Sequence, residues 1–280
     1  MYSFILPRVE ANRWHHSPRY LIMDKFLEHL EDEEFSGFSE INGTYNFMLF
    51  FLKGTPVQGF RIIEDALYTF SELPEKLPHL ELDELVIYPT PPAFITGIMD
   101  STHGLPLQKN SNTSFDSLKP IITDLESAKF EGTVTIQWDA TEGFIIFQNG
   151  IPENSFVVTS STIIEGKEAL EDILNRVKEK KGFITVYIRK TPENIPEPDR
   201  VLYIKKDVTD TLRSEFGQLG AEVVNAALKE KKLLKDIAHN LCVDPKEIEP
   251  VYTYMVERGY AELKKRDIVE EKTRKFWNEL

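Results

Sequence analysis

The sequence holds one cysteine, Cys242, in 280 residues. No internal disulfide can form, which fits a reducing cytoplasm. Long apolar runs are missing too: none approaches the roughly 20 residues that span a bilayer, so no membrane insertion is expected. The opening Met1-Tyr-Ser-Phe-Ile-Leu-Pro lacks the basic head and apolar stretch of a secretory signal. Catalytic signatures are equally scarce. There is no Gly-x-x-x-x-Gly-Lys-Ser/Thr, Gly-x-Gly-x-x-Gly, His-Glu-x-x-His, Cys-x-x-Cys or Gly-x-Ser-x-Gly. The histidines are scattered apart from His15 and His16, which on an extended segment point to opposite sides and chelate poorly. His103, within Asp100-Ser-Thr-His-Gly, reads as a surface-loop residue, and Cys242 as a small buried one. No catalytic, metal or cofactor site is expected, and the chain reads as a non-enzyme.

What is present is charge of one sign, unevenly spread. The net charge is −13, and residues 21–100 supply most of it, with 4 Lys and Arg against 15 Asp and Glu. Residues 221–280 balance at 12 against 12. An acidic body repels phosphate backbones and favours basic partners, although solvated surface alone also accounts for it. The run Glu31, Asp32, Glu33 and Glu34 is its densest point.

The chain also repeats itself. Phe130-Glu-Gly-Thr-Val-Thr-Ile-Gln-Trp begins three short antiparallel strands, with Asn149-Gly150 supplying a tight turn. The same order appears about 95 residues earlier. Phe35 and Gly37 answer Phe130 and Gly132, Gly54 and Pro56 answer Gly150 and Pro152, and Leu30 answers Leu125. Each copy reads as helix, strand block, helix and strand. In the first, a short helix carries Phe26, Leu27 and Leu30, a second helix is expected around Ile63 to Phe70, and Glu84 to Tyr88 is the closing strand. Ala93 to Ile98 reads as a short helical turn. In the second copy a helix runs from Pro120 to Ala128. The helix at Lys167 to Lys180 carries the stripe Ala169, Leu170, Ile173, Leu174 and Val177, and Phe183 to Ile188 closes the copy.

Three helices then follow in quick succession: Ala221 to Leu228, Leu233 to Leu241, and one opened by Asp244-Pro-Lys-Glu247. There Asp244 is expected to cap, Pro245 to take the first helical position and Glu247 to close a capping box. Gly259 stops that helix, and Tyr260-Ala-Glu-Leu reads as a strand. This is the order of a winged helix-turn-helix. It is a poor DNA reader by charge, because Lys246 and Arg258 face Asp244, Glu247, Glu249 and Glu257.

The expected fold class is therefore α+β: two tandem homologous modules with antiparallel strand blocks, plus a C-terminal winged-helix-like domain. The expected divisions are an N-terminal arm laid on the surface at 1–20, modules at 21–100 and 120–200, a Ser, Asn and Gly-rich linker at 101–119, the winged-helix-like domain at 201–265 and a charged helix at 266–280.

The run Phe144 to Asn154, which opens Phe-Ile-Ile-Phe-Gln-Asn-Gly, with Phe47 to Gln58 in the first copy, resembles the bacterial PATAN (DUF4388) domain family. Ser155 and Gly59 stand where that family commonly has a small Ala. The likeness covers about residues 24–95 and 120–190. It implies a bacterial, cytoplasmic signal-transduction adaptor that acts by protein–protein interaction, with a response-regulator receiver or a motility component as its partner. No catalytic residues carry over. The expected partner-binding residues are Glu31, Asp32, Glu33, Glu34, Tyr254 and Arg258. The alternative is a DNA-binding transcription regulator using Lys246, Tyr254 and Arg258.

Overall fold

The computed structural model describes residues 4–9, 14–16, 23–77, 82–113, 115–189, 200–205, 207–229 and 233–265. The fold is α+β, and the chain divides into two compact units. One comprises Tyr2–Gly59 with Pro74–Glu193, and the other Phe60–Leu73 with the chain from Asn194 onward.

The first unit holds the second copy of the repeat and, apart from residues 60–73, the first. Its elements are β1 (Trp14–His16), α1 (Met23–Asp32), β2 (Gly37–Gly43), β3 (Asn46–Leu52), β4 (Thr55–Ile63), whose last four residues belong to the other unit, and β6 (Leu82–Pro89). Between β4 and β6 come β5 (Ala66–Thr69) and α2 (Leu73–Lys76). Then follow α3 (Pro92–His103), β7 (Leu105–Thr113), α4 (Phe115–Ser127), β8 (Gly132–Trp138), β9 (Thr141–Gln148), β10 (Ile151–Val158), β11 (Ile163–Glu165), α5 (Lys167–Glu179) and β12 (Gly182–Ile188). The two sheets have the same strand order. One runs β1-β6-β2-β3-β4-β5 and the other β7-β12-β8-β9-β10-β11.

The duplication extends to individual atoms. Phe35 N–H donates to Leu30 O at 2.9 Å and Phe130 N–H to Leu125 O at 3.0 Å. Gly54 N–H donates to Phe35 O at 2.7 Å, and Gly150 N–H to Phe130 O at 2.8 Å. The phenylalanine that ends the first helix meets a strand phenylalanine edge-on in both copies, Phe35 with Phe51 at 5.8 Å and Phe130 with Phe147 at 5.7 Å. Gly37 and Gly132 are glycines for a steric reason. A Cβ at either would collide with a backbone carbonyl on the neighbouring strand, Tyr88 O or Tyr187 O, and with the ring of Phe35 or Phe130 at 2.7 Å.

Several expectations are corrected. Residues 101–119 end α3, form strand β7 and open α4, with only residue 114 of the expected linker outside the described residues. Helix α3 runs past Ile98 and packs against β3 of one sheet and β8, β9 and β12 of the other. Phe94 meets Phe144 and Phe156 at 5.3 and 5.7 Å. Its polar end is buried because each group has a partner. Ser101 Oγ and Thr102 Oγ1 donate to the carbonyls of Gly97 and Ile98. Asp100, 4% exposed, takes two parallel bonds from Arg189 at 2.9 Å and one from Thr133 Oγ1 at 2.7 Å. That bonding pushes the Arg189 guanidinium above its ordinary value.

The expected helix at Ile63 to Phe70 is instead the end of β4, a turn at Glu64 and Asp65 with φ of 48° and 64°, and β5. A short apolar run does not distinguish strand from helix. Helix α4 begins at Phe115 and carries Pro120 internally. The N-terminal segment is not a surface arm throughout, because Leu6 and Pro7 are buried. Arg8 N–H donates to Ser160 O, and the Arg8 side chain pairs with Glu40 at 2.5 Å. His15 lies in strand β1 opposite Val86, and His16 opposite Leu85. The expected helix at 266–280 lies outside the described residues.

Ile5 N–H donates to Glu142 Oε2 at 3.2 Å. Burial pushes the Glu142 carboxyl from 4.5 up to about 7, and the Ile5 bond only partly offsets this. The folded state thus holds a proton that the unfolded chain releases near 4.5. Its stability is full below that pH, falls as pH rises to about 7, and is level above. Glu142→Gln should remove roughly 3 kcal/mol of pH-dependent loss, read from urea midpoints between pH 4.5 and 8. Gly132→Ala should cost more than about 2 kcal/mol at any pH, on the same urea titration.

Candidate functional site at the C-terminal helices

The second unit is built from β13 (Arg200–Ile204), α6 (Thr209–Lys229), α7 (Leu234–Asn240), α8 (Pro245–Glu257) and β14 (Ala261–Lys265), with β13 and β14 paired antiparallel. Its core joins Val223, Val224, Ile237, Ile248, Val251 and Met255. Of the expected stripe Val223, Val224, Ala227 and Leu228, the first three face inward and Leu228 is exposed. Helix α6 starts earlier than expected. Asp207 Oδ1 accepts from Thr209 N–H and Oγ1 at 3.0 and 2.7 Å, which holds the carboxyl below its usual value. The helix breaks at Phe216 and Gly217, where φ is −127° and 61°.

The segment Phe60–Leu73 belongs to this unit and supplies a partner to each of the three helices. Ile63 enters their apolar core, with Tyr68 packed against it. Glu64 Oε2 accepts from Gln218 N–H at 3.2 Å, capping α6 where it restarts after the break. Arg61, only 3% exposed, donates from Nη1 to Leu241 O at 2.5 Å just past the end of α7, and pairs with Glu222 on α6 at 2.7 Å. Glu72 meets His239 on α7 at 2.5 Å.

The closest engagement is with α8. Asp244 stands at the capping position and Pro245 at the first helical position, as expected, but the Asp244 side chain makes no capping hydrogen bond to its own helix. Asp244 Oδ1 and Oδ2 instead accept from Ser71 N–H and Oγ, both at 3.0 Å. Glu247 Oε1, on a residue 9% exposed, accepts from Thr69 Oγ1 at 2.6 Å and from Thr69 N–H at 3.3 Å. Asp244 N–H donates to Thr69 O at 2.7 Å. Burial raises the Tyr68 hydroxyl, and Glu247 and then Glu64 raise it further. The capping residues are spent on the 69–71 strand end.

This arrangement bears directly on nucleic acid. In a helix-turn-helix the N-terminal residues of the second helix reach base edges. In α8 those residues hold protein. The exposed face of α8 shows Lys246, Glu249, Pro250, Thr253, Val256 and Glu257, one cation against two carboxylates. Tyr254 and Arg258 are brought together: the guanidinium lies over the Tyr254 ring at 5.3 Å. That half-buried ring also meets Phe216 at 5.3 Å and Tyr260 at 6.4 Å. Lys246 is exposed, on a different stretch of the helix. Glu31, Asp32, Glu33 and Glu34 lie in the other unit, at the C-terminal turn of α1 with their side chains in solvent. Arg61, Thr69, Ser71, Asp244 and Glu247 were not expected as a group. The signal available in sequence was the Asp244 to Glu247 spacing, which also fits ordinary capping.

A family model described as an uncharacterized protein conserved in archaea (DUF2226) matches residues 99–193. The chain is similar to that family from the end of α3 through β12. This corrects the resemblance to the bacterial PATAN family, since the model that matches describes a family conserved in archaea. No curated protein matches the chain. Among the described residues, no helix is long and apolar enough to cross a membrane.

Removing a buried Arg leaves its carboxylate and carbonyl partners in place without it. Arg61→Ala should therefore cost about 3 kcal/mol. Hydrogen exchange should show the loss in α6, α7 and α8, with β8 and β9 keeping their protection.

Proposed function

We propose that the protein is a non-enzymatic adaptor of the cytoplasm that works through protein–protein contact. Its helix-turn-helix is turned toward protein rather than nucleic acid. The observation that supports this reading most is the first turn of α8. Asp244 and Glu247 accept four hydrogen bonds from Thr69 and Ser71 at the place where a DNA reader would meet bases. The charge of the outer face agrees, since affinity for duplex DNA grows with the number of phosphates neutralised. The single buried cysteine fits a reducing compartment.

The competing reading is a DNA-binding regulator using Lys246, Tyr254 and Arg258. Fluorescence anisotropy of a labelled random-sequence duplex in low salt separates the two. The expected trace stays flat to about 10 μM protein, beyond the tighter end of ordinary non-specific binding. Saturable binding that weakens steeply with added salt and is lost in Lys246→Glu would overturn the adaptor. Affinity capture of the tagged chain from nuclease-treated host lysate should retain a protein partner in stoichiometric amount.

A further inference from the structure

We propose that the N-terminal segment Ile5–Arg8 is a latch laid across the two copies of the repeat, released when Glu142 loses its proton. The latch lies within the first unit, so it goes beyond the reading of the C-terminal helices and does not rest on it. The segment belongs to no helix or strand, yet Leu6 and Pro7 are buried. Its polar contacts reach both copies. In the second copy, Ile5 N–H donates to Glu142 Oε2 on β9 at 3.2 Å. Arg8 N–H donates to Ser160 O, just past β10, at 2.9 Å. The Arg8 side chain crosses to Glu40 on β2 of the first copy at 2.5 Å. The other oxygen of Glu40 accepts from the Tyr88 hydroxyl on β6 at 3.1 Å.

The latch, not the strand, accounts for the burial of Glu142. Gly37 pairs with Phe51 and Gly132 with Phe147, so Asn46 and Glu142 hold equivalent places in the two copies. Asn46 is exposed. Glu142 is 6% exposed, and among the described residues Ile5 N–H is the one donor it has. An ionised carboxylate in that place exchanges water for a single N–H, which favours the protonated form. The charged and titratable groups nearby offer it no relief. On β12, burial and then Glu142 hold the Tyr187 hydroxyl from ionising. Arg8 is committed to Glu40. Asp139, in the turn before β9, is exposed and of the same sign. Lifting Ile5 and Leu6 away returns the carboxylate to water without breaking a strand. The closed latch therefore holds a proton up to about 7, which the open form gives up near 4.5. Rising pH favours opening across that interval and no further.

Amide hydrogen exchange of the full chain, followed by NMR and divided by the intrinsic rate, reads the opening directly. Protection of the Ile5 and Arg8 amides should fall roughly a hundredfold between pH 4.5 and 8. It should stay below that of Ile145, buried on β9, because the latch opens while the sheet stays folded. In Glu142→Gln the fall should vanish, since that side chain carries no proton to lose. Glu142→Leu is the second variant and should behave alike. Arg8→Ala should lower the protection of Ile5 several-fold at every pH and leave the fall in place. Protection of Ile5 that is level with pH in the unsubstituted chain overturns the latch. Protection equal to that of Ile145 does so too, because the segment then leaves only as the sheet unfolds. A fall that persists in either Glu142 variant overturns Glu142 as the trigger. Should neither variant fold, the unsubstituted chain decides by the first two outcomes.

Discussion

The second unit depends on one buried guanidinium. Arg61 reaches its partners from a strand rather than from a helix, filling the space between the end of α7 and the side of α6. A charge removed from water must be matched by close, directional partners, or it costs more than it returns. Here the Leu241 carbonyl supplies a directional hydrogen bond and the Glu222 carboxylate a close opposite charge. Around it, Glu64, Thr69, Ser71 and Glu72 fasten the neighbouring helix ends. Three helices that would otherwise share a small core thereby gain a fourth wall, of a kind that apolar packing alone would leave unspecified.

The two copies of the repeat show why that wall exists. In the second copy α5 is a helix of 13 residues, and it packs against β10, β11 and β9 through Ala169, Ile173 and Val177. In the first copy its counterpart α2 has 4 residues. A hairpin with apolar residues such as Ile63 needs cover, and one helical turn supplies little. The C-terminal helices provide it. The duplication thus kept the strand order and the Phe–Gly turn chemistry while dividing the role of one helix. The acidic run ending α1 marks another divergence: Glu31 to Glu34 stand where the second copy has Glu126, Ser127, Ala128 and Lys129. Carboxylates at a helix C-terminus oppose its dipole, so this end of the first copy gives up some local stability.

Much of the architecture was legible in the sequence because it rests on local rules. Phe35 and Phe130, Gly37 and Gly132, Asn149-Gly150 and the stripe of α5 each express a turn or a period. The misreadings have physical causes. Asp100 to Thr102 have the composition of a linker, yet they form a buried helix end because Arg189 and Thr133, far along the chain, complete the hydrogen bonds. Ile63 to Phe70 carries apolar residues at a spacing that suits either structure, and the positive φ of Glu64 and Asp65 decided it. Asp244 and Glu247 looked like a self-contained cap because sequence spacing records only local partners. These contacts join residues nearly 180 positions apart, a relation that no periodicity carries. The likeness to a bacterial family failed for the complementary reason: it rested on hairpin residues, which report turn geometry and not ancestry.

The hairpin's distance along the chain also sets an order of events during synthesis. Translation adds roughly 5 to 20 residues each second, so Ile63 and Arg61 emerge roughly 10 to 35 seconds before Leu241 does. Through that interval the strand end carries an apolar side chain and a row of unpaired hydrogen-bonding groups, the features that make nascent chains adhere to one another. The first copy's sheet can form while the hairpin waits. The last third of the chain then has to arrive before the first third is finished.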